Sequence, residues 1–122
     1  MKKIEVGDYV RIVEARRSMI SKVYDVQEGK TELIDKKYFC MVEGVEEWFT
    51  SKDIVKNSWN ILDVLEKGDY VNGYKAVHIT GYYVEVESNH RYDLCFEEDE
   101  IEDILTHEMY EKKCYKVKEE KW

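Results

Sequence analysis

The sequence predicts a mainly β protein of two small tandem units, residues 1–59 and 60–122, packed together with short helical turns. Three observations predict it. Gly7-Asp8-Tyr9-Val10 returns as Gly68-Asp69-Tyr70-Val71, an offset of 61 (68 − 7) in a chain of 122 residues. Self-similarity at half the chain length points to two copies of one unit, and Gly-Asp before Tyr-Val is turn chemistry that delivers a chain into a strand. A second match sets EWFTSKDIVKNS at 47–58 over LCFEEDEIEDIL at 94–105, with Phe49 on Phe96 and Ile54 on Ile101, at an offset of 47 (96 − 49). Turn signals also recur between short β-branched and aromatic runs at roughly 8–12-residue intervals, the spacing of a barrel or sandwich. Composition-driven coincidence is the alternative to duplication. The drop from 61 to 47 makes the first copy longer by 14 residues, expected between Glu14 and Phe39. Units of about 60 residues have marginal cores, so the halves are expected to touch.

Each element follows from local chemistry. Residues 9–13 form the entry strand, and 19–26 a second, with Gly29 marking a turn. Residues 31–34 and 38–43 continue the pattern; Gly44 turns the chain into 46–49. Ser51 can cap a helical turn at 51–55, and a second turn is expected at 60–66. A longer helix over 52–66 competes, because Ile54, Val55, Trp59, Leu62 and Leu65 recur near the helical period. Asn57, Ser58 and Asn60 oppose it, since they prefer caps and turns. In the second half Asn72-Gly73 is a turn signal before a strand at 74–80. Gly81 breaks to 82–87, Ser88-Asn89-His90 turns the chain, and 91–96 follows. Thr106 is a good cap for a short helix at 107–112. Residues 114–117 read as extended, and the last five as fraying.

Composition narrows the function classes. The chain is 43% hydrophobic and 38% charged, a folded-protein balance. No apolar run approaches the ~20 residues that span a bilayer, and MKKIEVGDYV has no secretory h-region; a cytoplasmic protein without membrane contact is expected. Cys40, Cys95 and Cys114 are odd in number and widely spaced, which points to thiols in a reducing compartment. Charge is segregated. Residues 1–61 carry 11 basic and 11 acidic side chains, and residues 62–122 carry 8 and 16, so the whole net charge of −8 belongs to the second half. Six of the seven residues 97–103 are carboxylates: Glu97, Glu98, Asp99, Glu100, Glu102 and Asp103. Such a surface repels phosphate and disfavours direct nucleic-acid binding. A local basic patch of Arg11, Arg16, Arg17 and Lys22 remains conceivable on the first half.

Chemistry-bearing motifs are sparse. The six glycines are dispersed, so there is no phosphate loop, and no Gly-x-Ser-x-Gly elbow exists. His78, His90 and His107 form no metal-spaced motif; HEMYE at 107–111 departs from a zincin helix where Glu111 replaces the second histidine. The acidic run lacks the glycine and oxygen spacing of an EF-hand loop. The expectation is therefore no enzyme, no metal and no cofactor. Ten tyrosines supply core volume. Among them Tyr74, Tyr82, Tyr83 and Tyr92 cluster near strands of the second half and could form a groove. Two neighbours in one strand point to opposite faces, so Tyr82 or Tyr83 is expected to be exposed.

SKDIVKNS at 51–58, ILDVLEKGDYVNGYK at 61–75 and ILTHEMYEKKCYKV at 104–117 together resemble small phage and prophage accessory proteins of Firmicutes. The resemblance is good over 54–78 and 101–117 and poor over the first 50 residues. The Gly-Asp-x-Val entry strand is also similar to SH3-like and KOW-like barrels. The resemblance implies two tandem SH3-like small barrels and a phage protein acting in the cytoplasm of a bacterial host. It implies no catalytic residues. Small acidic phage proteins are often inhibitors of host defence, so the expected function is non-catalytic protein binding. An anti-CRISPR-like inhibitor would cover a basic surface of a defence nuclease. Glu97, Glu98, Asp99, Glu100, Glu102 and Asp103 would pair with arginine or lysine, and Tyr82, Tyr83 and Tyr92 would anchor. Two alternatives stay open. One is a sponge for a nucleotide signal, with Arg11, Arg16, Arg17 and Arg91 lining a pocket. The other is a structural phage component. The sequence leaves the oligomeric state undetermined.

Overall fold

The computed structural model describes residues 3–31, 34–50, 52–88 and 94–111, with 28–31, 34–39 and 41 described by their backbone alone. The chain is mainly β: one curled, half-barrel sheet and a second sheet, five strands each. The first contains β1 (Tyr9–Val13), β2 (Ser18–Thr31), β3 (Ile34–Val42), β4 (Val45–Thr50) and β5 (Ile54–Ser58), in the order β4-β3-β2-β1-β5. After a 3-10 turn at Ile61–Val64, the second contains β6 (Tyr70–Val71), β7 (Tyr74–Ile79), β8 (Tyr83–Val86), β9 (Leu94–Glu97) and β10 (Ile104–Leu105), ordered β10-β6-β7-β8-β9. The two orders are the same, read from opposite ends. Each is an antiparallel meander whose fifth strand returns to pair with its first.

The repeated tetrapeptide occupies equivalent positions. Gly7 and Gly68 take φ of 95° and 94°, a left-handed conformation that glycine adopts without steric cost. Asp8 Oδ2 accepts the Glu5 amide at 3.0 Å, and Asp69 Oδ2 accepts the Glu66 amide at 2.8 Å. The Gly7 amide donates to Val23 and the Gly68 amide to Ala76, both at 2.9 Å. Side-chain closure of the turn fixes how the chain enters each first strand.

Register locates the extra length. Tyr9 faces Lys22, as Tyr70 faces Lys75, so the offset falls to 53 at the second strand. Val23 faces Val42, as Ala76 faces Val86, giving 44 at the third. Cys40 faces Phe49, as Val84 faces Phe96, and Val10 faces Asn57, as Val71 faces Ile104; both give 47. The first copy is thus longer by 8 residues in its first hairpin and 9 in its second, and shorter by 3 before its fourth strand.

Several expectations change. The strand expected at 19–26 runs on as one long β2 to Thr31, with Gly29 paired to Lys37 beside a register shift rather than in a turn. The stretch expected as a strand at 31–34 is divided instead: Thr31 ends β2 and pairs with Ile34, the first residue of β3, and 32–33 lie outside the described residues. The helical turn expected at 51–55 shrinks to a single turn at 52–53, closed by the Asp53 amide donating to the Thr50 carbonyl at 2.9 Å, and the next residues are β5. A helix through 52–66 is absent because Ile54–Ser58 pair with β1 across a register shift between Arg11 and Ile12. Asn60 caps the 3-10 turn, its side chain accepting the Leu62 amide at 3.1 Å. Thr106 Oγ1 accepts the Met109 amide at 3.4 Å, at the head of the helical residues 107–111. The expectations for 112–122 lie outside the described residues.

The core forms two clusters, one in each half. Ile4, Val10, Ile12, Val23, Cys40, Val42, Phe49 and Ile54 fill the first. Ile61, Leu62, Val64, Leu65, Val71, Ala76, Val84 and Val86 fill the second, with Tyr9 and Ile20 of the first half packed against it. Each fully buried aliphatic or aromatic side chain contributes about 1.5–3 kcal/mol. Burial pushes the Cys40 thiol up to about 11, which makes it an inert core group. Among the described residues no helix is long and apolar enough to cross a membrane.

Candidate functional site

The acidic run links the two edge strands of the second sheet, β9 and β10. Glu97 ends β9, Glu98–Glu100 form a 3-10 turn, and the chain reaches β10 at Ile104. The Glu97 amide donates to Glu100 Oε1 at 2.9 Å, closing the turn on itself. Ile101, the one apolar residue of the run, packs against the second core. Glu97, Glu98, Asp99, Glu100, Glu102 and Asp103 are all exposed.

Asn72 holds the far side of the run, a role absent from the sequence-based expectations beyond its turn signal. With φ of 52° it sits beside Gly73 at 87°, the mirror-image turn that suits a two-residue hairpin. Asn72 Oδ1 accepts the amides of Glu102 at 2.8 Å and Asp103 at 3.0 Å. Its Nδ2 donates to the Glu100 carbonyl at 2.8 Å, and its amide donates to the Asp103 carbonyl at 2.8 Å. Asn72→Ala is expected to cost about 1–2 kcal/mol, through lost hydrogen bonds and an unfavourable φ. Hydrogen exchange checks this: the Glu102 and Asp103 amides should exchange faster, and unchanged protection would contradict the role.

The density of unpaired charge distinguishes this face, with six carboxylates in seven residues. Among the described residues none of the six carboxylates forms an ion pair. Glu97, Asp99 and Glu100 each bring an oxygen within 4.8 Å of the others. Several carboxylates elsewhere are answered within the chain. Arg17 pairs with Glu14 at 2.6 Å and with Glu47, and its guanidinium lies 5.0 Å above the Phe49 ring.

Arg11 is the clearest case of internal pairing, and the conceivable basic patch dissolves with it. This arginine is fully buried. Nη1 donates to Asp69 Oδ2 at 2.7 Å and to the Val64 carbonyl at 3.1 Å, and Nη2 donates to Asp69 Oδ1 at 2.8 Å. Glu108 accepts from Nε and Nη2, and Glu66 Oε2 lies 3.4 Å from Nε. Arg11 therefore joins β1 of the first half to the entry turn and terminal helical residues of the second. Burial pulls the guanidinium down, but Asp69 and Glu108 outweigh it and raise its pKa. Lys22 Nζ lies 5.8 Å from the Tyr9 ring centroid, and Arg16 is exposed. Arg91 lies outside the described residues.

His107 completes the cluster. Its Nε2 is 2.8 Å from Glu66 Oε1 and 3.6 Å from Glu108 Oε1, and Nδ1 is 3.6 Å from Glu111. Its amide donates to Asp69 Oδ1 at 2.9 Å. Glu66, His107 and Glu108 each bring one ligand atom within 4.8 Å of the others. Arg11 pairs with both of those carboxylates and Lys56 lies 3.2 Å from Glu66.

The cluster sets a pH response. Burial pulls the His107 imidazole down, but its hydrogen bond to Glu66 and the charge of Glu108 raise its pKa. Burial pushes Glu66 and Glu108 up. Glu66's bonds with His107 and Lys56, and Glu108's bond from Arg11, bring them below the ordinary range. Stability from His107 is full below its unfolded value and is lost as pH rises through the raised one. Stability from the two glutamates is full above their unfolded value and is lost as pH falls through the lowered one. The cluster contributes most between roughly pH 4.3 and 6.5. In urea unfolding, His107→Gln should flatten the decline above about pH 6.5; parallel curves would contradict this.

The structure brings some of the expected tyrosines to the acidic face. Tyr82 is 85% exposed, just before β8 rather than within it. Thr80 Oγ1 accepts the amides of Tyr82 and Tyr83, both at 3.1 Å. Tyr82 lines an open hollow of about 560 Å³ with Tyr9, Glu97, Glu98 and Asp99. Tyr83 pairs with Glu97 across β8 and β9 and is less exposed. Tyr74 lies 6.1 Å from Phe96, ring to ring, and does not line the Tyr82 hollow. Tyr92 lies outside the described residues. An adjoining hollow spans both halves, lined by Tyr9, Ile20 and Lys22 on one side and Glu98, Glu102 and Ile104 on the other. No family model, curated protein or solved structure matches this chain.

Proposed function

We propose that the chain is a non-catalytic protein-binding module whose acidic second half covers a basic surface on a partner protein. The observation that carries this reading is the set of six exposed carboxylates on a hydrogen-bonded backbone, none of them in an ion pair among the described residues. Charge segregated in this way steers association and sets specificity. The backbone hydrogen bonds matter because a preorganised surface loses little entropy on binding. The equal strand order and matched entry turns support reading residues 1–59 and 60–122 as two SH3-like small barrels, joined through Arg11.

The partner class is a host defence nuclease, with the chain as its phage-encoded, anti-CRISPR-like inhibitor in the bacterial cytoplasm. A carboxylate-rich face mimics the charge of a nucleic-acid backbone, so it competes for the basic groove that a nuclease uses. A plating assay tests this reading. Expression of the chain in bacteria that carry nuclease-based defences should restore phage plating in one of them. Soluble expression with no restoration across such a panel would overturn it.

A further inference from the structure

The aromatic side chains beside the carboxylates narrow the cation that this face accepts. Tyr82 is 85% exposed and Trp59 69% exposed. They stand on adjoining loops joined by the Asn60 Nδ2 bond to the Gly81 carbonyl at 2.9 Å. Two large rings are thus left in water on neighbouring, hydrogen-bonded loops. Tyr82 shares its hollow with Tyr9 and with Glu97, Glu98 and Asp99, so ring and carboxylates face one space. A cation already sits on the Tyr9 wall: Lys22 Nζ lies 5.8 Å from that ring's centroid.

We infer that the hollow is an arginine socket, in which a partner's guanidinium stacks on Tyr82 and is paired by Glu97, Glu98 and Asp99. The inference rests on the reading that the acidic face binds a basic protein, and it names the contact chemistry. A guanidinium is planar and weakly hydrated, so it can lie on a ring while its N–H fork reaches a carboxylate. An ammonium is a strongly hydrated point charge and draws on the carboxylates alone. Trp59, on the neighbouring loop, offers a second ring for the arginine stem or for a residue next to it.

Capped tetra-arginine and tetra-lysine peptides carry equal charge and separate the two contributions. Calorimetric titration against the full chain should show tetra-arginine bound about 5-fold more tightly. Tyr82→Ala should abolish that preference and leave the weaker, lysine-level affinity. Tyr82→Phe, which keeps the ring, should retain the preference. Tyr82 is exposed, so neither substitution threatens folding. The triple variant Glu97→Gln, Glu98→Gln, Asp99→Asn should lose both peptides. Equal affinity for the two peptides, with both lost in the triple variant, would overturn the socket and leave the acidic-face reading standing. Binding of neither peptide by the wild-type chain would overturn both.

Discussion

Arg11→Met is expected to destabilise the chain by about 3–5 kcal/mol, the loss seen when one partner of a buried ion pair is removed. Arg11 and Asp69 are both fully buried. Methionine fills part of the space but donates nothing, so Asp69 keeps a buried charge with only the Glu66 and His107 amides to answer it. The Val64 carbonyl loses its bond from Nη1, and Glu108 loses its bonds from Nε and Nη2. A small domain is stable by only about 5–15 kcal/mol, so the loss is a large share of the whole. Urea unfolding measures it. Arg11→Lys should recover only part, since one ammonium cannot reproduce the two-pronged contact. Arg11→Met with Asp69→Asn should cost less than Arg11→Met alone, because the stranded charge is gone. Arg17→Met gives the contrast. Its pairs are partly exposed and worth about 0–1 kcal/mol.

Replacement of all six carboxylates by their amides, at Glu97, Glu98, Asp99, Glu100, Glu102 and Asp103, is expected to leave the fold intact and abolish partner binding. The substitution moves the net charge from −8 to −2. None of these carboxylates is ion-paired among the described residues, so no counter-charge is stranded. The Glu97 amide keeps an acceptor, because glutamine at 100 offers a carbonyl oxygen where Glu100 offers Oε1. Removal of like charges a few ångströms apart should raise stability slightly at low salt, by about 0.5 kcal/mol, and the gain should vanish at high salt. Binding behaves oppositely: a strongly charged face contributes on the order of 10²–10³ to association through steering and pairing. A variant that unfolds, or one that binds a basic partner as well as wild type, would contradict this.

The parts of the fold visible in the sequence are those set by local chemistry. Gly-Asp ahead of Tyr-Val encodes the same side-chain-closed turn twice, and the structure has that turn twice. The Asn72-Gly73 hairpin and the Thr106 cap likewise depend on near neighbours. The expected 14-residue difference is correct in total, and the two longer hairpins fall largely in the expected stretch. The split between them and the 3-residue shortening before β4 were not legible, because hairpin length depends on pairing partners and not on the loop's own composition. β5 was hidden because Ile54, Val55, Trp59, Leu62 and Leu65 fall near a helical period. Pairing to β1 overrides that period and leaves Val55 and Trp59 exposed. The acidic run was legible as a block of charge. Its support by Asn72, 28 to 31 residues away, was not. Nor was the buried Arg11–Asp69 pair, whose members lie 58 residues apart. Nothing in the local sequence separates Arg11 from Arg16 or Arg17; only the juxtaposition of the two halves does.

Side-by-side affinity capture tests the central claim most directly. Wild-type chain and the six-amide variant are immobilised in equal amounts and exposed to a bacterial lysate at low and at high salt. The account predicts that wild type retains a protein with a basic surface at low salt and releases it at high salt, and that the variant retains none of it. Equal retention of that protein by the variant, or retention by wild type that salt does not weaken, would contradict it.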